Sequence, residues 1–270
     1  MKRSIAALVM TTSLVFAGGA SAQTMDKVAK VGALGDQSGL YQDIGGPGST
    51  VAAQMAIEDS WLLAKGWKID LISADHQNKP DVAVNIGKQW IDVEKVDVFV
   101  DLAASNVGLA IANLAKDKNV VNLNSGSASS DLTGTQCSPN TVHWVYDTYM
   151  LANSTGQALV KAGGDSWFFL TADYAFGYSL EEQTTKFVTE HGGTVLGSVR
   201  HPLSNTDYSS FLLQAQSSGA KILALANAGS DFRNAVSQAD EFNIRASMQL
   251  VALQVTLTDV PALGLAHAHD

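Results

Sequence analysis

One rhythm constrains this chain more than any other feature. Short apolar runs alternate with segments whose apolar residues recur at helical spacing. Lys27 to Leu34, Lys68 to Ser73, Val96 to Leu102 and Val120 to Leu123 read as strands. Between them, Ser49 to Lys65 reads as a helix with Ser49 as N-cap. Pro80 opens another as its first residue, with Val82, Ile86 and Trp90 on one face, and Val107, Ile111 and Leu114 stripe the next. The rhythm resumes after His143 to Tyr146. Tyr149 to Ala162, Phe176 to Glu190, the Tyr208–Phe211–Leu212–Ala215 spacing and the Phe232–Ala235–Val236–Ala239 spacing predict helices. Trp167 to Thr171, Val195 to Val199, Ile222 to Ala226 and Met248 to Leu253 predict strands. Apolar strands separated by amphipathic helices predict an α/β chain, with parallel sheet, helices on both sides and right-handed crossovers. The polar stretch from Asn124 to Thr141 breaks the rhythm midway. It is read as a functional loop leading to a lobe crossover near His143–Asp147, against the alternative of one continuous sheet with a long loop.

The N-terminus names a compartment. Lys2 and Arg3 precede an apolar run from Ile5 to Phe16, and Ala20-Ser21-Ala22 forms a small-x-small site before Gln23. This predicts a signal peptide over residues 1–22, export to the periplasm and cleavage near Ala22. The run is too short to span about 30 Å of hydrocarbon. Cleavage would leave 15 basic and 26 acidic residues, a charge of −11. So acidic a chain, without a basic cluster, is a poor nucleic-acid partner. Cys137 is the single cysteine, which rules out an intramolecular disulfide and a cysteine-based zinc site.

Ligands of open α/β sheets sit beyond the carboxyl ends of the strands. Three small, polar loops fall there: 35–41 after the first strand, Ala104-Ser105-Asn106 after the third and 125–129 after the fourth. Hydroxyls and backbone N–H groups at helix starts suit a carboxylate, although any βα turn uses such residues. In the second half, 171–177 and 227–231 hold the equivalent positions. Asp231 is either a partner for a ligand ammonium or an exposed cap of the helix at Phe232. Trp144, Tyr146 and Tyr149 either line a cleft or pack as core or hinge. Enzyme signatures are poor: there is no nucleophile elbow, P-loop, complete dinucleotide fingerprint or H-E-x-x-H. No catalytic residue, metal or cofactor is expected, and His267-Ala268-His269 reads as a tail.

The local strings carry a resemblance. Val31-Gly32-Ala33-Leu34, Gly39-Leu40-Tyr41, Gly45-Gly46-Pro47-Gly48 and the run Ala52 to Asp59, followed by Ala172 to Gly177 and Asp207 to Phe211, resemble the leucine/isoleucine/valine-type periplasmic solute-binding proteins of ABC transporters. The resemblance covers essentially everything after the signal peptide. It implies a two-lobed type I periplasmic binding protein (a flytrap), each lobe a parallel sheet flanked by helices. Lobe 1 would span 26–143 with the carboxylate-binding loops, lobe 2 147–257, and 258–270 a truncated tail at the return crossover, because family chains run longer and the C-terminal crossovers are missing. Carried over residue by residue, the resemblance implies that Ser105, Asn106, Gly126, Ser127 and Ala128 hold an α-carboxylate with Tyr41 nearby. Ala128 stands where the family often places a threonine. Tyr174 and Phe176 would contact the ligand from lobe 2, and Asp231 would meet its ammonium. The expected function is capture of a small carboxylate, first a branched-chain or related amino acid, by a monomer that delivers it to the membrane subunits of an ABC permease. An aromatic or organic acid is the alternative solute. An exported α/β enzyme and a ligand-sensing module for a signalling partner are the competing classes.

Overall fold

A computed structural model describes residues 26–264 and 267. The expected signal peptide and His269 lie outside the described residues.

The first half runs β1 (Val28–Gly35), α1 (Pro47–Glu58), α2 (Trp61–Ala64), β2 (Lys68–Asp75), α3 (Pro80–Gln89), β3 (Val98–Asp101), α4 (Ser105–Lys118), β4 (Val121–Asn124) and β5 (Thr141–His143). The second half runs α5 (Thr148–Lys161), β6 (Ser166–Ala172), α6 (Ala175–Glu190), β7 (Thr194–His201), α7 (Ser209–Ser217), β8 (Ile222–Ala226), α8 (Gly229–Glu241), β9 (Gln249–Ala252) and α9 (Asp259–Leu263). There are two sheets, not one. The first has the order β2-β1-β3-β4-β5 and the second β7-β6-β8-β9, and every pairing in both is parallel. The direction in which successive strands are added across the sheet reverses between β1 and β3 in one sheet and between β6 and β8 in the other. Each sheet therefore has a switch point where its strand-end loops part and leave a crevice.

Burial follows the patterns that suggested the strands. β8 is buried along its whole length and β6 from Trp167 onward, as central strands of a covered parallel sheet are. The edge strand β7 alternates exposed and half-buried residues. One apolar cluster joins the two halves, with Leu34, Phe99 and Ile111 continuous with Trp167, Phe169 and Tyr174. A second lies between β6, β8, α7 and α8, around Leu170, Tyr208, Leu212 and Phe232.

Three expectations need correction. The helix expected over 49–65 is two pieces, interrupted at Asp59–Ser60. Ser49 is not its cap. Gly46 holds that position at φ 58°, and Pro47, with its preset φ, starts the helix. Trp90 is not on α3. The helix gives way to a π turn over Trp90–Glu94, which keeps the indole buried and stacked on Phe99 at 6.2 Å. Nor are both faces of the first sheet covered throughout. Val121, Leu123 and Val142 on β4 and β5 are 42%, 40% and 46% exposed.

Candidate functional site

The strand-end loops of the two sheets face one another and are closed together. Tyr41, Ile44, Ala103, Ser105, Gly126 and Ala128 from the first half and Tyr174, Phe176, Ala228 and Gln254 from the second line one space. Its volume is about 10 Å³, room for about one water. The Tyr41 and Tyr174 hydroxyls are hydrogen-bonded to each other across it. Their rings lie 6.2 Å apart, and Tyr174 and Phe176 6.1 Å apart. Gly229, at the start of α8, lies so close to the first half that a Cβ there would meet the Leu40 carbonyl at 2.5 Å. With these surfaces together the space holds nothing larger than a water.

The first-half wall is built from the bend after β3. Asp101 and Leu102 both adopt positive φ, 80° and 67°, a conformation that costs L-residues about 1–3 kcal/mol each. Surrounding bonds impose it. The Asp101 carboxylate accepts from Gly46 N–H at 3.1 Å, its carbonyl from Ser125 N–H at 3.2 Å, and Leu102 N–H donates to Leu34 O at 3.1 Å. The bend delivers Ser105 to the first position of α4, with no side-chain cap before it. The N–H groups of Ser105 and Asn106 therefore have no carbonyl partner in the helix. Ser105 Oγ accepts from Ala128 N–H at 3.2 Å and Ser129 N–H at 3.1 Å, so its own hydrogen remains to be donated. Orphan N–H groups, a hydroxyl hydrogen and the positive end of a 14-residue helix make this wall attract an anion.

Buried carboxylates brace the loops without facing the space. Asp36 accepts from Gly39 N–H and Tyr41 N–H, each at 2.9 Å, and so fixes Tyr41. Burial pushes the Asp101 carboxyl up to about 6, against the Gly46 N–H and Ser49 hydroxyl that favour its charge. Burial likewise pushes Asp231 up to about 6, opposed by its bonds to Ser204 N–H, the Tyr208 hydroxyl and Asn205 N–H. The Tyr41 hydroxyl is raised by burial, as is that of Tyr174.

Of the residues singled out from sequence, Tyr41, Ser105, Gly126, Ala128, Tyr174 and Phe176 come together around the space. Three stand elsewhere. Ser127 is buried beneath its loop, its hydroxyl donating to Leu102 O at 2.5 Å. The Asn106 side-chain oxygen turns back to Val107 N–H at 3.0 Å. Asp231 is neither an exposed cap nor on the lining. It is fully buried in the first turn of α8, and its two oxygens accept from Ser204 N–H at 3.1 Å and Asn205 N–H at 3.0 Å. Trp144 is 80% exposed, Tyr149 packs edge-on against Phe187 at 5.1 Å, and Tyr146 hydrogen-bonds Gln254. His267 is held by Asp240 at 2.6 Å.

Ala228, from the 227–231 loop singled out in the sequence, Ile44, Ala103 and Gln254 complete the lining, and the last three were not foreseen. Gln254 follows the β9 segment as directly as the other site loops follow their strands, so the strand-end rule would have found it. The ion pairs of Arg233 had no sequence signal. From α8 this side chain reaches Asp43 in the β1–α1 loop at 3.0 Å and Asp259 at 2.9 Å.

A model of one protein family, described as periplasmic binding protein, matches residues 28–270. Among solved structures, a periplasmic binding protein from Burkholderia mallei is 49% identical, with TM-score 0.85, over 88% of this chain and 64% of that one. A branched chain amino acid ABC transporter periplasmic ligand-binding protein from Burkholderia xenovorans LB400 is 34% identical, with TM-score 0.71, over the same shares. An ABC transporter solute binding protein from R. palustris, in complex with 4-hydroxybenzoate, shares the fold at 23% identity and TM-score 0.78, over 88% of this chain and 66% of that one. The chain spans about half, 54%, of the length of the curated relatives it matches.

Proposed function

This chain belongs to the periplasmic binding protein family, and from that premise we propose that it captures a small carboxylate solute between its two halves in the periplasm and presents it to the membrane subunits of an ABC permease. The observation that carries the reading is the facing of an anion-attracting wall by an aromatic one. Ser105, Gly126 and Ala128 stand on one side, and Tyr174 and Phe176 on the other. The carboxylate would take the Ser105 hydroxyl hydrogen and the orphan N–H groups at the start of α4. The remainder of the solute would lie against the rings. Capture is a population shift: a solute that touches both walls favours the closed arrangement by its differential affinity, with no covalent step. The relatives' descriptions name two solute classes, branched-chain amino acids and 4-hydroxybenzoate.

The test is a thermal-shift screen of the purified chain against small carboxylates, amino acids and aromatic acids included. A ligand of the native state raises the melting temperature in proportion to the logarithm of its concentration above Kd. A dose-dependent rise with a carboxylate, absent with its amide, supports the reading. A cooperative transition that no carboxylate moves contradicts it.

A further inference from the structure

We infer that Gln254 is a specificity-determining residue: its side-chain oxygen takes a hydrogen bond from a donor group that the solute carries besides its carboxylate, and Tyr146 is the positioning residue that orients it. This rests on the reading of the chain as a solute receptor and deepens it.

Gln254 follows β9 by two residues, lines the space between the halves and is 8% exposed. A carboxamide has two N–H donors and one acceptor oxygen. Nε2 donates to the Tyr146 hydroxyl, which lies in the crossover between β5 and α5. The Tyr146 ring packs against the apolar cluster that joins the halves. Burial raises its phenol, and so does the charge of Asp259, against the bond from Gln254. The phenol therefore keeps its hydrogen, which the field of Asp259 draws to its own side. A lone pair is left for Nε2–H, and that turns Gln254 Oε1 away from Tyr146. Among the described residues Oε1 accepts no hydrogen bond, nor is it one of the partnerless polar atoms sealed in the interior. It opens on the space that Gln254 lines.

The rest of the lining makes this oxygen count. Ile44, Ala103, Gly126, Ala128, Phe176 and Ala228 bring no polar side-chain atom. Ser105 Oγ already accepts twice, and the Tyr41 and Tyr174 hydroxyls are bonded to each other. Gln254 Oε1 is thus the one side-chain atom of the lining that accepts and cannot donate, and it belongs to the half opposite Ser105. A solute with its carboxylate at Ser105 reaches across to the second half. A donor on that solute meets Oε1. Without one, closure leaves a desolvated acceptor unpaired, and a site built this way rejects the analogue that lacks the donor by about 10- to 100-fold. The oxygen takes a hydroxyl or an ammonium alike, so the experiment separates the two.

The experiment is calorimetric titration of the chain with five acids. 4-Methylpentanoate, 2-hydroxy-4-methylpentanoate and L-leucine share one skeleton and carry no donor, a hydroxyl and an ammonium in turn. Benzoate and 4-hydroxybenzoate differ by one hydroxyl. The inference expects at least one donor-bearing acid to bind about 10-fold or more tightly than its donor-free counterpart, and the arm that shows this names the donor. Gln254→Met keeps the length and removes both polar atoms, and should bring that ratio to within about 2-fold of one. Tyr146→Phe keeps the ring and removes the atom that orients the amide, and should lower the ratio about 2- to 5-fold. If no donor-bearing acid gains over its counterpart in the wild type, the inference fails while the receptor reading stands. It fails equally if Gln254→Met weakens both members of a pair by the same factor, because Gln254 is then a strut between two segments. A ratio untouched by Tyr146→Phe removes Tyr146 from the assignment. Should Gln254→Met not fold, the wild-type ratio and Tyr146→Phe decide. If none of the five acids binds the wild type, the receptor reading itself fails, and the inference with it.

Discussion

At the residue scale the account turns on which polar groups are spent and which are free. Ser105 Oγ accepts two N–H bonds and has a hydrogen left over. Ser105→Ala should therefore weaken carboxylate binding about 10- to 100-fold, the scale of one hydrogen bond to a charged group, and lower stability by about 1 kcal/mol. Titration of the variant checks this, and unchanged affinity would remove Ser105 from the site. Asp101 makes a pH prediction. Its carboxyl is raised from 3.8 to about 6 in the folded chain. Between those values the folded chain holds a proton that the unfolded chain has released. The contribution is thus full below about pH 4 and lost as pH rises through about 6, where the buried charge costs about 3 kcal/mol. Asp101→Asn cannot ionise, and its side-chain oxygen can still accept from Gly46 N–H. Its stability relative to wild type, measured by urea unfolding, should rise by up to about 3 kcal/mol from pH 4 to pH 7. A difference that stays flat over that range contradicts the assignment.

At the scale of elements, the site is made by strand ends meeting helix starts, and packing beneath the loops matters as much as the loops. A Cβ at position 108 on α4 would lie 2.0 Å from Ser127 Oγ and 2.6 Å from Asn124 Nδ2. Gly108→Ala should push the 125–129 loop off its bed. It should cost about 1–3 kcal/mol despite a helix-propensity gain of about 1 kcal/mol, and weaken solute binding. Gly48→Ala on α1 meets nothing within 4 Å and should stabilise by about 0.4–1 kcal/mol with binding unchanged. Melting curves and titrations of the pair separate loop displacement from a general glycine effect. The elements themselves were legible because β6, β8 and the helices of the second half are continuous apolar or periodic runs. The α1–α2 break and the π turn at Trp90 were missed. The first had a signal that went unused, the polar run Glu58-Asp59-Ser60, where Ser60 caps α2 by accepting from Leu62 N–H at 3.2 Å, whereas the second is a local backbone choice without one. The site was legible in part. Ser105, Gly126, Ala128, Tyr174 and Phe176 follow strands directly, and that position carried the expectation. The employment of Asp231 was hidden, because its partners are backbone N–H groups 26 and 27 residues away.

At the scale of the molecule, two sheets with separate switch points close on one another, and an ion pair crosses between them. Arg233 bridges Asp43 and Asp259, whose side chains are 48% and 2% exposed. The Asp43 bond is the half-exposed one, worth about 0–1 kcal/mol, and Arg233 keeps Asp259 when it is lost. Asp43→Ala should leave the melting temperature of the free chain nearly unchanged and speed solute release about 2- to 5-fold, as a lost contact of under 1 kcal/mol in the closed arrangement requires. Stopped-flow displacement measures the rate. An unaltered release rate would show that the bridge does not hold the halves together.

The most direct test of the central claim, that a small carboxylate binds between the two walls, is a crystal structure of the chain grown with benzoate. The account predicts density between the halves, with the carboxylate about 3 Å from Ser105 Oγ, the ring beside Tyr174 and Phe176, and the Tyr41–Tyr174 hydroxyls drawn apart. Benzoate seated outside this cleft, with those hydroxyls still joined, would contradict it.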